Sequence, residues 1–392
     1  MGARGLKGIT GKAHILAHTI RKHLGRTLSW GRDAWFRRRC RDHLRRLAAE
    51  GEVLVGPVVS FRGGTRHHML AIRRHSSLPV RTFPTDAFLH ELKDSGRLDD
   101  FAAALRGEDL NRFRVVHSHA SRWLPALCAG TMERRFGWVH TYHTLYFEDQ
   151  WAGGLRQWQK QINRVLLEDA PRADVRISIS RWLQHHLEQE HGITTVWVPN
   201  GVEVEKCEQA DGSRFEQREG LSGFVLYLGN ILEVKDPGRF VRLAAALPDR
   251  QFVMIGQGLS AANIAGRLGL EAPENLSCHD EMPHAEALEA LAACRAFVVT
   301  SRSEGLPTAL MEAMAMGKPV VAPDCYGCAE VVQSPACGRL YAPDSFDALV
   351  AAIEEALAGP EVAPEARERI RQQYDWRVIG PRLGEIYRDI AR

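Results

Sequence analysis

The sequence predicts an α/β protein with two doubly wound parallel-sheet domains of the Rossmann-like kind, which face each other across a cleft. The chain has 392 residues, more than the size at which a single hydrophobic core stops growing. Short apolar runs alternate with helical stretches, as is typical of parallel sheets covered on both faces. The alternation stops at a polar stretch, 203–223, and then starts again. These observations indicate two domains joined by a linker.

The elements follow in a regular order. A basic extension, 1–50, precedes the first domain, 51–202, and the linker leads to the second domain, 224–375, and a terminal helix, 376–392. Strands are predicted at 53–60, 80–83, 114–117, 138–141, 175–179 and 196–198, and then at 224–228, 252–255, 276–278, 297–300 and 320–322. Ligands of such sheets bind beyond the carboxyl ends of the strands, so the site is expected in the cleft.

Composition indicates an ordinary globular protein, which we expect in the cytoplasm. Hydrophobic residues make up 45% of the chain and charged residues 25%. No apolar run approaches the roughly 18 residues of a membrane span, and the N-terminus lacks the apolar core of a signal peptide. Eight cysteines are too few in so long a chain for a disulfide framework. Cys325, Cys328 and Cys337 could suggest zinc or redox chemistry, but a structural zinc site needs four ligands, so free thiols are expected.

Positive charge is concentrated at the start of the chain. Residues 1–50 contain thirteen Lys or Arg against three acidic residues, whereas the whole chain has a net charge of +3. Such asymmetry indicates an anionic partner. Nucleic acid is one candidate. A membrane surface is another, because Trp30, Trp35 and Phe36 are interleaved with the arginines. The remaining alternative is that the segment packs on the protein and its arginines face water.

The most informative segment begins with an apolar run, 296–300, which predicts a buried strand. Pro307 then predicts the first residue of a helix of about ten residues, which Gly317 ends. The first amides of that helix, at 305–308, have no partner within the helix, and the helix dipole adds partial positive charge there. The segment therefore predicts an anion site of the kind that holds phosphate.

Two carboxylates lie around this helix start. Glu304 precedes the helix, and Glu312 lies four residues after Thr308 on the same helical face. One polar ligand along the helix could contact both carboxylates. The alternative is that Glu304 caps the helix and Glu312 is a solvated surface charge.

The sequence from Glu304 to Glu312, Glu-Gly-Leu-Pro-Thr-Ala-Leu-Met-Glu, resembles the Glu-x7-Glu signature of the retaining glycosyltransferases of family 4, which have the GT-B fold. The resemblance implies that Glu304 contacts the donor sugar and Glu312 the ribose of a nucleotide-sugar. It also implies that the backbone at Gly305, Leu306 and Thr308 binds the donor.

Two loops of the first domain fit the same family. Gly63 and Gly64 follow the first strand, where family members have a Gly-rich loop that faces the donor diphosphate. Tyr142-His143-Thr144 resembles the Phe-His-Thr of the family's mannosyltransferases, in which the histidine lies at the reaction centre. A lone histidine at a strand end is otherwise more often a structural residue.

The second domain adds further donor-binding candidates. Lys235 aligns with the family lysine that contacts the diphosphate, whereas Asn230 stands where the family usually has Arg. Losing that guanidinium removes a bidentate phosphate donor, which Arg302 or Arg62 could replace. Met282 lies in a turn where the family cradles the base.

No metal site is predicted. His117 and His119 lie at the end of one strand of the first domain, but no third ligand at metal-binding spacing is evident. We therefore expect no cofactor other than the nucleotide-sugar co-substrate, and no metal requirement.

The resemblance covers roughly residues 52–392 and implies a retaining transferase that moves a sugar from a nucleotide-diphosphate sugar to an acceptor hydroxyl, in cell-surface polysaccharide, lipopolysaccharide or glycolipid synthesis. The expected catalytic residues are Glu304, His143 and Lys235. The expected partners are the donor, a saccharide or lipid-linked saccharide acceptor, and an anionic surface for residues 1–50 on the inner face of the cytoplasmic membrane, but no nucleic acid. In GT-B proteins a terminal helix such as 376–392 crosses back to the first domain.

Two other functions stay open. A nucleotide-sugar 2-epimerase has the same architecture and would act on the donor without a second substrate. A catalytically idle nucleotide-sugar-binding partner would bind the donor without turnover, and Asn230 keeps that alternative in view.

Overall fold

The computed structural model describes residues 34–58, 64–97, 110–128, 134–151, 153–360 and 363–391. Within these ranges the chain forms two α/β units, each built on a parallel six-stranded sheet flanked by helices. The predicted fold class is therefore confirmed. The predictions for residues 1–33, Arg62 and Gly63 lie outside the described residues.

The first sheet has the strand order β2-β1-β3-β4-β5-β6. Its strands are β1 Val53–Gly56, β2 Val80–Thr82, β3 Val115–Ser118, β4 Gly137–Tyr142, β5 Val175–Ser178 and β6 Val196–Trp197. All residues of β1, β3 and β4 are buried, because helices cover both faces of the sheet. The order reverses beside β1, which is the switch point where ligands of such sheets bind.

Helices of the first unit pack on this sheet. They are α1 34–48, α2 Gly64–His75, α3 Asp86–Asp94, α4 Leu124–Cys128, α5 Gln157–Glu168 and α6 Arg181–His191. Helix α6 is capped at both ends. At its N-terminus the Ser180 hydroxyl accepts a hydrogen bond from the Leu183 amide (3.2 Å), and at its C-terminus Gly192 ends the helix in a left-handed conformation with φ 63°.

The second sheet has the order β12-β11-β10-β7-β8-β9. Its strands are β7 Val225–Leu228, β8 Phe252–Ile255, β9 Leu276–His279, β10 Ala296–Val298, β11 Val320–Pro323 and β12 Arg339–Tyr341. The edge strand β12 was not predicted. It has three residues, of which only Tyr341 is fully buried, so its apolar pattern is too short to stand out in the sequence.

The segment 203–223, predicted as a linker, contains two helices. These are α7 Val204–Glu208 and α8 Gly212–Glu219. Their side chains Val204, Cys207 and Phe215 are buried in the core of the second unit. The segment is therefore helical rather than an extended connection. Its many charged residues gave it the composition of a linker, although a few of its apolar side chains are buried.

The remaining helices of the second unit are α9 Pro237–Ala246, α10 His284–Ala293, α11 Thr308–Ala315, α12 Tyr326–Val332, α13 Phe346–Ala358 and α14 Pro364–Gln373, with a short helical segment at 261–268. Their apolar faces and the sheet form two clusters of buried side chains.

The terminal helix α15, Trp376–Ile390, packs on the first unit. Trp376 and Tyr387 lie in a buried cluster with residues of β1 and α2. A Cβ added to Gly380 would lie 2.3 Å from the carbonyl oxygen of His75, so glycine permits the close approach of α15 to α2. The chain therefore crosses between the units twice, next to the backbone bridge of Val202 and Asp375.

Helix α1 is the described part of the basic extension. Its apolar face is buried in the core of the first unit through Phe36, Cys40, Leu44 and Leu47. Its outer face is exposed and arginine-rich, with Arg37, Arg38, Arg41, Arg45 and Arg46. The alternative that the segment packs on the protein thus holds for 34–48, while the arginines stay available to an anionic partner.

All eight cysteines are free thiols in the structure, as expected. Among the described residues, no helix has both the length and the apolar character needed to cross a bilayer.

Candidate active site

A cavity of about 300 Å³ lies between the two units at the carboxyl ends of their strands. We call it the central cavity. It is lined from the first unit by Gly64, Thr65, His143, Thr144, Ile179 and Asn200, and from the second by residues that include Tyr227, Lys235, Ser301 and the run 304–310. The structure therefore brings seven of the predicted site residues to one cavity: Gly64, His143, Lys235, Glu304, Gly305, Leu306 and Thr308.

Glu304 and Lys235 form an ion pair at the wall of this cavity. The Lys235 ammonium donates to Glu304 Oε1 at 2.6 Å, and the Ser301 hydroxyl donates to the same oxygen at 2.6 Å. Glu304 lies in the loop after β10, and Lys235 lies in the 3₁₀ turn Glu233–Lys235 after β7. Both side chains are only partly exposed, so a ligand in the cavity meets a fixed carboxylate beside a fixed ammonium.

Helix α11 points its N-terminus at the central cavity. The helix begins at Thr308, and Pro307 is its N-cap with φ −75° and ψ 111°, so the prediction that Pro307 is the first helical residue is wrong by one position. The reason is that ψ at Pro307 is extended rather than helical. The first amides of α11 still lack partners within the helix, and the dipole favours an anion there.

The two units touch closely at Gly305. A Cβ on this residue would lie 2.2 Å from the carbonyl oxygen of His143, so only glycine allows this approach. From the first unit, the Asn200 amide donates to the carbonyl oxygen of Leu306 (3.2 Å). These contacts fix the loop after β10 against the end of β4.

His143, itself partly buried, lies beside a group of buried histidines. Its Nε2 lies 3.0 Å from Nδ1 of His119, and the ring of His68 lies 5.0 Å from its own ring, edge to face. Burial lowers the pKa of His143 to about 4, and burial together with neighbouring histidines lowers the pKa values of His68, His117 and His119 well below 6.5. At neutral pH these rings are therefore uncharged, and His143 can exchange hydrogen bonds with a sugar hydroxyl.

Glu312 lines a second cavity of about 130 Å³, the side cavity, which shares Thr308 with the central cavity. Its Oε1 lies 2.7 Å from Nε2 of His284. Burial alone would lower the pKa of His284, but the hydrogen bond and the charge of Glu312 raise it above 6.5. Across the cavity, Arg66 and His67 of α2 complete the wall. A ligand that passes Thr308 can thus contact Glu304 in one cavity and Glu312 in the other.

Of the arginines near the site that the structure describes, neither Arg302 nor Arg66 lines the central cavity, and Arg62 lies outside the described residues. Arg302 is exposed, forms an ion pair with Asp236 (3.6 Å) and lines a neighbouring cavity instead. Arg66 lines the side cavity, where it forms an ion pair with Asp86 (2.6 Å).

Two predicted donor residues lie away from the central cavity. Asn230 is exposed, and its Oδ1 accepts from the amide of Gln257 (3.3 Å), so it holds the neighbouring loop. Met282 packs against the core of the second unit and lines neither cavity. The roles of these residues stay predictions.

Sequence reasoning missed several residues that the fold adds to the site. His284 contacts Glu312, Asn200 bridges the units, and His68 completes the histidine group with His119 and His143. His68 lies four residues after Gly64, but a single histidine in a helix carries no functional signal by itself. The group therefore contains only His119 of the His117 and His119 pair considered in the sequence, and takes His68 and His143 from other elements of the fold.

The comparisons with known proteins cover both units. The family model "Glycosyltransferase Family 4" matches residues 36–206, and "Glycosyl transferases group 1" matches residues 213–374. The phosphatidyl-myo-inositol mannosyltransferase of Mycolicibacterium smegmatis is 28% identical over 301 residues, which is 71% of this chain and 72% of that protein. The alpha-maltose-1-phosphate synthase of the same organism is 27% identical over 316 residues, 71% of this chain and 79% of that protein.

Solved structures agree on the fold. The Anabaena protein HepE, in complex with UDP and glucose, superposes with a TM-score of 0.68 at 19% identity and covers 86% of this chain and 99% of its own. Sucrose-phosphate synthase from Thermosynechococcus elongatus gives 0.63 at 21% identity and covers 75% of this chain and 79% of its own. With two family models that together span both units, the chain belongs to the glycosyltransferases of family 4 and has the GT-B fold.

Proposed function

We propose that this protein is a retaining glycosyltransferase that moves a hexose from a nucleotide-diphosphate sugar to the hydroxyl of a glycolipid acceptor. The observation that carries the proposal is the paired cavity at Thr308, which offers a carboxylate, an ammonium and a helix N-terminus on one side and a second carboxylate on the other. A nucleotide-sugar has the matching parts in order: sugar, diphosphate and ribose. Relatives named as phosphatidyl-myo-inositol mannosyltransferases support a glycolipid acceptor and make a mannosyl donor the first to test.

The proposed mechanism consists of positioning and charge stabilisation. The diphosphate lies at the start of α11 beside Lys235, whose ammonium moves from Glu304 towards the leaving phosphate. Glu304 is then free to hold sugar hydroxyls, and His143 orients the sugar from the first unit. The diphosphate leaves from the face that the acceptor enters, and its oxygen takes the acceptor proton, so the anomeric configuration is retained.

A glycosidase mechanism does not fit this site. Glycosidases need one carboxylate as the acid and another as nucleophile or base, on opposite sides of the scissile bond. Here Glu304 and Glu312 line different cavities, and Glu312 is paired with His284. The two carboxylates are therefore assigned to different parts of one donor.

We also propose that the reaction needs no metal. The sequence has no Asp-x-Asp motif at a strand end, and a helix N-terminus with Lys235 can hold a diphosphate without a divalent cation. The enzyme is expected to keep full activity in excess EDTA. Complete loss of activity that Mg²⁺ or Mn²⁺ restores would contradict this part of the proposal.

A donor screen followed by turnover tests the function. Nucleotide-sugars, among them GDP-mannose and UDP-glucose, are compared by thermal stability, since a ligand at 100 times its Kd adds about 2.7 kcal/mol. The best donor is then incubated with and without lipid acceptors. We expect transfer only with acceptor, and an NMR coupling constant at the new linkage that reports the same anomeric configuration as the donor.

Lys235→Ala and Asn230→Arg distinguish the enzyme from an idle binding partner. If the assignment holds, Lys235→Ala abolishes most transfer, because the leaving phosphate loses a charged donor of roughly 1.5–3 kcal/mol. Asn230→Arg then changes little, since Asn230 lies outside the central cavity. Donor binding without transfer in the wild type, with transfer gained in Asn230→Arg, would indicate a lost activity. Conversion of donor without acceptor would indicate an epimerase.

A further inference from the structure

Three histidines from separate elements of the first unit converge beside the central cavity. His68 lies in helix α2, His119 follows β3, and His143 follows β4. Each offers one ring nitrogen, and these three nitrogens lie within 4.8 Å of one another. We call them the histidine triad. Among the residues that the structure describes, this is the group of His, Cys, Asp or Glu side chains whose geometry suits a metal ion.

Two of the three histidines are buried, and the triad is incompletely hydrogen-bonded. His68 is 5% exposed and His119 is 4% exposed. Nδ1 of His68 and Nε2 of His119 are buried and have no hydrogen-bond partner in the described part of the chain. Buried polar atoms usually have a partner, so two unpartnered ring nitrogens within one group indicate capacity for a ligand.

The surroundings leave the triad open on one side. His143 is only partly buried and lines the central cavity, whereas His117, behind the triad, uses both of its nitrogens, on Tyr387 (2.6 Å) and Thr141 (2.7 Å). A small cation can therefore reach the triad from the central cavity and keep a water molecule on that side.

We propose that His68, His119 and His143 bind a single Zn²⁺ or similar divalent transition-metal ion, with a fourth position open to the central cavity, and that this ion inhibits transfer. Three imidazoles with one open position match the preference of Zn²⁺ for four ligands and for nitrogen. Nitrogens on a tetrahedral zinc lie about 3.3 Å apart. The 3.0 Å contact of His119 Nδ1 with His143 Nε2 is close to this spacing, whereas the wider separations in the triad, up to 4.8 Å, have to shorten by rotation of the rings.

Inhibition follows from the position of His143. The metal occupies a ring nitrogen of His143, the residue that the proposed function assigns to orienting the sugar. The bound ion also adds positive charge beside the place where the sugar is proposed to lie. The inference of inhibition rests on the proposed function, whereas the inference of metal binding does not. A failure of one can be told from a failure of the other, because metal binding is measured without donor or acceptor.

Binding is tested on the full-length protein after EDTA treatment and removal of the chelator. Zn²⁺ titrated by calorimetry is expected to bind at one ion per chain and to raise the midpoint of thermal unfolding. His68→Gln is expected to weaken this binding at least tenfold. The matched control is His191→Gln, which removes an exposed histidine and should leave the affinity unchanged. Equal affinity of wild type and His68→Gln would overturn the proposal.

Co²⁺ supplies a test that needs no variant. In the wild type it is expected to give the intense visible absorption of a tetrahedral site, which Zn²⁺ then displaces. A weak octahedral spectrum, or no stoichiometric binding, would show that the triad is a hydrogen-bonded packing group only. If binding is confirmed, one equivalent of Zn²⁺ should inhibit transfer by the wild type, and EDTA should reverse the inhibition. The transfer rate of each variant with Zn²⁺ is compared with the rate of the same variant without metal.

Discussion

At the scale of single residues, the two carboxylates of the Glu-x7-Glu segment line different cavities, so their substitution should have different effects on kcat and on donor affinity. Glu304→Gln is expected to lower kcat with little change in donor affinity, because the lost charge lies beside Lys235 in the central cavity, where the proposed function places the reacting sugar. Glu312→Ala is expected to weaken nucleotide-sugar binding by about 10- to 100-fold, the equivalent of roughly 1.5–3 kcal/mol for hydrogen bonds to a charged group. Transfer kinetics and calorimetry of both variants measure this. Equal and small effects would mean that Glu304 is a helix cap and Glu312 a surface charge.

His284 gives donor binding a pH dependence of predictable sign. Its pKa is raised above 6.5 only while Glu312 is its partner. If ribose hydroxyls take Glu312, the pKa of His284 falls and a proton leaves on binding. Affinity should therefore increase as pH rises above 6.5 and level off once His284 is neutral in the free protein. Calorimetry with an intact nucleotide-sugar measures this pH dependence of the affinity. The diphosphate diester of the nucleotide-sugar does not itself titrate in this pH range.

The control for this pH dependence is His284→Asn, which keeps a hydrogen-bond donor for Glu312 without a titrating group. The variant should bind the donor with an affinity that is flat across the same pH range. A slope equal to that of the wild type would assign the proton to another group, of which His67, whose ring lies 4.8 Å from that of His284, is the first to test.

The sequence could predict those site residues whose positions follow from local structure. Glu304, Thr308 and Lys235 follow predicted strands of one sheet, and carboxyl ends of neighbouring parallel strands lie together. His284 and Asn200 could not be predicted this way. Their partners Glu312 and Leu306 lie 28 and 106 residues away in sequence, and only the packed tertiary structure sets those distances.

At the scale of elements, helix α1 shows how a charged segment can be structural on one face and available on the other. Phe36 and Leu44 are buried in the first unit, whereas Trp35 is 58% exposed beside the outward arginines. Deleting the segment would therefore uncover core as well as remove charge. Surface substitutions separate the two effects.

Arg37, Arg38 and Arg41 are expected to attract the protein to anionic lipid. Each basic residue near such a surface contributes about 1 kcal/mol, so changing all three to Gln should weaken binding to phosphatidylserine or phosphatidylglycerol vesicles by about 3 kcal/mol. Vesicle flotation at low and high salt measures this, and the difference should shrink with salt.

The matched control for the arginine change removes the same number of charges from the second unit. Arg214, Arg242 and Arg250 are also exposed, and their replacement by Gln should leave flotation near the wild-type level. If both triple variants lose binding equally, net charge rather than the face of α1 causes it. If the wild type does not float at low salt, α1 does not recruit the protein to membranes.

The pattern of elements was predictable because parallel strands are buried on both faces and appear as continuous apolar runs, as in β7 and β8. Elements with little buried surface were missed. Strand β12 buries one side chain fully, and helix α8 buries only Phe215 among its charged residues. A period in hydrophobicity cannot be recognised from a single buried position.

At the scale of the whole molecule, the two units are joined by contacts that cross the cleft. Glu330 of α12 accepts from the backbone amides of Arg181 (2.6 Å) and Trp182 (3.2 Å), the first residues of α6 in the other unit. The carboxylate of one unit thus caps a helix of the other, where the helix dipole also favours negative charge. Burial raises the pKa of Glu330, although these amides oppose that shift.

This cap should help to hold the two units together across the cleft, in the arrangement in which both line the proposed donor site. Hydrogen bonds to a charged group are worth roughly 1.5–3 kcal/mol, and a part of this is lost from closure in Glu330→Ala. We expect the variant to keep its fold but to close less completely with donor, to show a larger radius of gyration by small-angle X-ray scattering, and to lose about tenfold in kcat/KM.

Glu354→Ala, which changes an exposed glutamate on α13, is the control and should match the wild type. A Glu330→Ala protein with wild-type scattering and kinetics would show that closure depends on other contacts, of which the Asn200 amide on the Leu306 carbonyl is the first to test.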